Sequence, residues 1–377
     1  MLFGLAKFRA LPETLVLTIA MLGVSSPLLA QSAGPIAPKA GQEIQEPPDI
    51  RVRVNLVNTP AVVRNANDEL VLDIKESEFR IFDNGVEQRI EGFDMGGAPL
   101  SVAIVVQTSS RIEALLPALR RTGILFTQTV LGESGDAAVI GYNDEINVLS
   151  AFTSDHDAIE KTLTNLRQGT SGARLYDAMS RGVQLLRGRP DSRRRVLITI
   201  AEAVDTGSEE KLGEVLREAQ LANITIYSIG LSSTAAALRG NPQPNPPISA
   251  TPPGTFGRPP MPGTPQTPST EEQRSGNLDL KALAVWVIQH AGEAVHDRPL
   301  EVAAEATGGL YQSTFRDQSI SDAIDQISGE LHAQYTLSYR PTNTEQNAYH
   351  EIKVEVVGRP GMKVRSRPGY YLGQTRG

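Results

Sequence analysis

Ser101-Val102-Ala103-Ile104-Val105-Val106 runs straight into Gln107-Thr108-Ser109-Ser110-Arg111, and an amphipathic stretch, 112–131, follows at once. An unbroken apolar run bounded by polar residues reads as a strand buried on both faces, the kind found in parallel sheets. In open α/β sheets, ligands bind in the crevice outside the carboxyl ends of such strands, so the loop after Val106 is the first place to look for function. Two further segments repeat the pattern. Val196-Leu197-Ile198-Thr199-Ile200 ends in Ala201-Glu202-Ala203-Val204-Asp205-Thr206-Gly207-Ser208, and the loop Gly169-Thr170-Ser171-Gly172 leads into Ala173-Arg174-Leu175-Tyr176-Asp177.

Working outward, strands are expected near 102–106, 137–142, 146–149, 196–201 and 224–230, and a last sheet strand at Gly308-Gly309-Leu310-Tyr311. Helices are expected near 112–131, 155–167, 174–187, 208–222, 278–291 and 319–332. Strands alternating with helices imply the α/β class, a doubly wound, mostly parallel sheet covered on both faces, over residues 98–333. Residues 240–276 interrupt it with eleven of the chain's 25 prolines and read as an extended loop. Before the α/β pattern, residues 50–96 alternate as Ile50-Arg51-Val52-Arg53-Val54 and carry a hairpin signal at Asn84-Gly85. After it, residues 334–377 are β again. Each β segment alone is small for a stable core, and the two together are expected to make one smaller β domain.

The three loop segments, in order and surroundings, resemble the von Willebrand factor A domain, and the whole chain looks most like a secreted bacterial group of related proteins, common in acidobacteria. That resemblance implies a metal-ion-dependent adhesion site built from Asp-x-Ser-x-Ser, a Thr and a second Asp. In this chain Gln107 stands at the first Asp, Ser109 at the first Ser, Arg111 at the second Ser, Ala173 at the Thr and Glu202 at the second Asp. Mg²⁺ wants near-octahedral oxygen ligands, usually with carboxylates. One carboxylate offset by one guanidinium leaves no net charge to hold a divalent ion, so neither a metal nor another cofactor is expected. Two readings of Arg111 follow. It forms an ion pair with Glu202 over a site that has lost its metal. Alternatively, with Arg174, it receives a partner's carboxylate, which an arginine fork matches in a bidentate way.

Composition narrows the classes. The 377 residues carry a formal net charge of −7, spread along the chain, which argues against a nucleic-acid partner. Lys7, Arg9, the apolar stretch 15–24 and Ala30 read as a signal peptide over 1–30, followed by a flexible leader over 31–49. With no cysteine in the chain, neither a disulfide nor a lipidated Cys is available, and a periplasmic or extracellular protein with no membrane span after cleavage is expected. No phosphate loop, no Gly-x-Ser-x-Gly elbow and no histidine at a strand end speak for an enzyme. The expected function is a protein-interaction or adhesion module with a metal-independent top face. An exported enzyme or enzyme subunit using the same cleft, and a structural envelope component whose Pro-rich loop docks a binder of extended peptides, stand as the other two readings. Nothing in the pattern fixes an oligomeric state.

Overall fold

The computed structural model describes residues 56–231, 280–289, 298–314, 317–342 and 348–371, all within one compact unit, Arg53–Gly377. The signal segment 1–30, the leader 31–49 and the Pro-rich stretch 240–276 lie outside the described residues.

The chain enters through four strands, β1 (Val57–Arg64), β2 (Phe79–Asp83), β3 (Val86–Gln88) and β4 (Ile90–Met95). Asn84 and Gly85 join β2 to β3 as a two-residue loop with φ of 47° and 79°, the left-handed pair that matches strand twist. The α/β part follows. Its strands are β5 (Leu100–Gln107), β6 (Asp136–Tyr142), β7 (Ile146–Thr153), β8 (Arg194–Ala201), β9 (Ile224–Leu231) and β10 (Tyr311–Thr314). They form one sheet in the order β10-β9-β8-β5-β6-β7, parallel throughout except for β7. The chain starts in the middle of this sheet, moves outward to one edge, and returns to build the other half. That is the doubly wound order, with its switch point between β5 and β8.

Successive side chains of a strand point to opposite faces, and β5 shows what this achieves. Ala103 and Val105 join one apolar cluster with α3 (Leu175–Arg187), α4 (Leu212–Leu221), α5 (Leu280–Gln289) and α6 (Pro299–Thr307). Val102, Ile104 and Val106 join the other with α1 (Leu116–Arg121), α2 (His156–Thr164) and α7 (Asp317–Ala333). Helix α3 lies so close to the sheet that a Cβ on Gly182 would stand 2.4 Å from Leu197 Cδ1. A larger residue there would require the Leu197 side chain to repack.

Three expectations shift. The stretch 112–131 is not one helix. It breaks into a 3₁₀ segment (Ser110–Leu115), α1, a single turn (Gly123–Leu125) and a π-helical turn (Phe126–Leu131). Pro117 has no N–H to give to the preceding turn, and Ile112 sits outside helical geometry at φ −105°, ψ 18°. The helix expected from 208 starts only at Leu212, because Ser208, Glu209 and Glu210 are held as a loop against Asp177. Helix α6 was not foreseen, and it displaces the last strand to Tyr311–Thr314.

The chain then returns through β11 (Tyr335–Tyr339), β12 (Tyr349–Val356), β13 (Lys363–Ser366) and β14 (Gly369–Tyr371). Two four-stranded sheets result, β13-β1-β11-β4 and β14-β12-β2-β3, and their inner faces share a core of Val57, Ala61, Phe79, Ile81, Tyr335, Leu337, Ile352 and Val354. Buried among these is a polar cluster. Asp83 accepts from Tyr339 Oη at 2.9 Å and Tyr370 Oη at 2.7 Å, and its other oxygen meets His350 Nδ1 at 2.9 Å. Glu330 of α7, with no exposed side-chain surface, ties the α/β part to the first of these sheets. It is clasped by Arg64 of β1 at 2.8 Å and by Arg365 of β13.

Candidate functional site

The end of β5 and the end of β8 are neighbours in the sheet, so the residues that follow them face each other across the switch point. Gln107 closes β5 with no exposed surface. Its Nε2 donates to Ser109 Oγ at 2.7 Å and reaches Glu202 Oε2 at 3.3 Å, while its Oε1 accepts from the Glu202 backbone N–H at 2.8 Å. The side-chain amide therefore stitches the first loop to the fourth-strand loop in both directions. Glu202 is buried, and its Oε2 also accepts from Arg111 Nε at 2.9 Å. Arg111 keeps about a third of its side chain in solvent.

Four of the six candidate residues, Gln107, Ser109, Arg111 and Glu202, thus form one connected cluster. Ala173 and Arg174 take other partners. Ala173 is held by its backbone, with its N–H donating to Thr206 Oγ1 and its carbonyl accepting from Thr206 N–H, each at 2.8 Å. Arg174 turns to Asp177 at 2.6 Å and Glu209 at 3.3 Å. The Asp177 hydrogen bond pushes its guanidinium pKa up. The expectation that Arg174 would act with Arg111 as a receptor meets this competing partner.

The loops are fixed to one another by residues that sequence reasoning passed over. Asn143, in the turn between β6 and β7, accepts from Thr170 Oγ1 at 2.9 Å, and its carbonyl accepts from Arg174 N–H at 3.0 Å. Thr108 donates through N–H and hydroxyl to the Tyr142 carbonyl, and its own carbonyl takes the Gly169 N–H at 2.8 Å. The available signal was an Asn-Asp-Glu turn at the carboxyl end of the adjacent strand, the side on which such sheets place their sites. Tyr142 is fully buried here. Burial, then the nearby Asp205 and Glu202 carboxylates, raise its pKa well above the usual tyrosine range, so it stays a neutral hydroxyl.

Chemically the cluster is neutral, with one carboxylate, one guanidinium, one amide and one hydroxyl. Among the described residues of this cluster the one carboxylate, Glu202, already faces a guanidinium, so the donor set does not fit a divalent cation. No nucleophile and base pair is assembled, because Ser109 Oγ is met by an amide and not by a proton acceptor of the histidine kind.

No family model matches the chain, and no curated protein matches it. Among solved structures it is similar to BatB from Bacteroides thetaiotaomicron, at 16% identity over 62% of this chain and 98% of that one, TM-score 0.37. It is also similar to an aerotolerance-related membrane protein from Bacteroides fragilis, at 15% identity over 61% and 99%, TM-score 0.36. The VWA domain of SpRpn10 matches at 12% identity over 60% and 95%, TM-score 0.36. The strand order of the six-stranded sheet makes the α/β part a doubly wound, mostly parallel fold.

Proposed function

We propose that the carboxyl edge of the six-stranded sheet is a protein-interaction face that works without a metal ion, in a protein acting in the periplasm or outside the cell. The observation that carries this reading is the Arg111–Glu202 pair at 2.9 Å, its arginine about one-third in solvent and its acid buried, at the position where the fold gathers ligands. In an adhesion site of the usual kind, a partner's carboxylate completes the coordination of the metal. Here a partner's carboxylate would compete with Glu202 for the exposed side of Arg111, and the fork geometry of arginine suits such an exchange. The neutral Gln107–Ser109 scaffold holds Glu202 in place while Arg111 moves. Capture of a partner from envelope extract by the full chain is the test. Binding should be indifferent to EDTA and lost on Arg111→Glu. Titration calorimetry complements it. Wild type should give no Mg²⁺ heat, and Gln107→Asp with Arg111→Ser should begin to restore it, though Ala173 still lacks the threonine hydroxyl. Tight Mg²⁺ binding by wild type, abolished by Glu202→Ala, would overturn the metal-independent reading.

A further inference from the structure

The amino-terminal edge of the same sheet holds a cavity of about 540 Å³, closed on its other side by residues of β1 and β11. That volume is in the range of small-molecule sites, roughly 300–1,000 Å³. Four arginines line it against two aspartates, an excess of two positive charges. Two of the four have an ion-pair partner: Arg195 pairs with Asp191, and Arg193 meets Asp136 at 3.3 Å, a carboxylate outside the lining that it shares with Arg189. The two without one are Arg194, which opens β8, and Arg367, which lies between β13 and β14.

Neither of these two has a carboxylate in ion-pair range among the described residues. Arg194 donates from Nη2 alone, to the Leu331 carbonyl at 2.8 Å and Gln334 Oε1 at 2.7 Å. Arg367 is only 4% exposed, makes one hydrogen bond, from Nη1 to Asn223 Oδ1 at 3.2 Å, and lies over the Tyr370 ring. Its Nε is buried with no acceptor, and the buried Oε1 of Gln220, another lining residue, has no donor. Buried charges are ordinarily paired and buried polar atoms ordinarily bonded, so a pair of unmatched guanidiniums around one cavity points to a missing counter-ion. Burial lowers the pKa of both, the direction expected when a cation lacks its anion. Asp94 attracts Arg194 through space but is turned toward the Gly97 N–H at 3.1 Å. Asp191 also lines the cavity and is almost wholly exposed, which gives the cavity an opening to solvent.

We infer that this cavity binds the oxyanion end of a small phosphate- or carboxylate-bearing molecule, with Arg194 and Arg367 as its counter-charges. The cavity exceeds the size of a bare ion, and its remaining walls offer Asn58, Thr225 and Ser338 to the polar body of such a molecule. Because the walls come from the α/β sheet and from the β sheets beside it, an occupant would cross-brace the two.

The test uses the full chain in chloride buffer, titrated calorimetrically with inorganic phosphate in one arm and succinate in the other, at matched ionic strength. Saturable binding in one arm identifies the oxyanion type. Arg194→Gln and Arg367→Gln should each weaken it by about tenfold or more, the scale of one lost charged hydrogen bond. Arg187→Gln, a surface arginine outside the cavity, should leave it unchanged. If Arg367→Gln does not fold, Arg194→Gln and the rise in wild-type melting temperature with phosphate or succinate over chloride still decide the matter. A cavity that holds water only gives no saturable heat and no ion-specific rise in either arm, and that result overturns the inference. Binding that survives both arginine substitutions overturns it equally.

Discussion

At the carboxyl edge of the six-stranded sheet, Glu202 meets Arg111, itself about one-third exposed. At the amino edge, Glu330 meets two arginines, and no part of its side chain reaches solvent. Both are buried carboxylates held by guanidiniums, yet they do different work. Glu330 joins three elements, α7, β1 and β13, from opposite ends of the chain, and its two arginines keep only about a fifth of their side chains in solvent. Glu202 joins two adjacent loops, and its arginine can be solicited by a solvent-borne group. The contrast teaches that exposure of the cation, rather than burial of the acid, separates a clasp from an exchangeable contact.

The sharpest way to break the comparison is to delete the clasped acid. Glu330→Ala leaves Arg365 without its carboxylate and Arg64 with only the exposed Asp68 at 3.6 Å, and should cost about 4 kcal/mol, since breaking a buried ion pair by removing one partner is strongly destabilising. Urea unfolding measures it; a loss below about 1 kcal/mol would show that the clasp is ornamental. A pH series comes next. Burial pushes Tyr227, at the amino edge beside Gln334, up to about 12 from an ordinary 10.0. A raised folded pKa means that the unfolded chain loses this proton first. Its stabilising contribution is complete below pH 10 and is lost as the pH climbs to about 12, a fall of about 2–3 kcal/mol by linkage. Tyr227→Phe should flatten that alkaline slope in chemical denaturation, and an unaltered slope would locate it elsewhere.

Arg111→Ala should cost less, about 1–2 kcal/mol, because water can reach Glu202 once the guanidinium is gone and Gln107 still holds it. A loss as large as that of Glu330→Ala would erase the distinction between clasp and exchangeable contact. The smallest effect sets the baseline. Arg187 and Glu218 pair at 2.5 Å with about half of each side chain in solvent, and Arg187→Ala should change stability by about 0.5 kcal/mol or less. Melting curves resolve this from the other three.

Much of the fold was legible because parallel strands buried on both faces write themselves as unbroken apolar runs. Val102–Val106, Val196–Ile200 and Ile224–Ile229 could hardly be anything else, and the sheet they form is the doubly wound one expected. Helix detail was less legible where a single residue overrides periodicity. Pro117 splits an otherwise amphipathic stretch, and Asp177 captures two backbone N–H groups that would have opened α4 one turn earlier. At the site, strand ends locate Gln107, Ser109, Arg111 and Glu202, since neighbouring parallel strands deliver their next residues to one edge. What spacing cannot show is competition. Arg174 lies three residues before Asp177, the pairing distance of a helix turn, and that local bond prevails over a longer reach. Asp83 and His350 are 267 positions apart, and no local pattern announces that they share a hydrogen bond.

The seating of β1 between β11 and β13, with β4 paired to β11 alone, has a consequence for how the chain is made. During synthesis the amino-terminal strands emerge more than two hundred residues ahead of their partners. Only the β2–β3 hairpin can close locally; β1 and β4 must wait as bare edges, the kind of surface that invites pairing with another chain. The six-stranded sheet can assemble in the interval, since all its strands precede β11. The last forty or so residues then act as a fastener, and a ribosome that stalls before residue 335 would release a molecule with a finished α/β sheet and unprotected β strands. Such a truncated product should be recognised by proteases and chaperones at its front end, although the missing part is at its back.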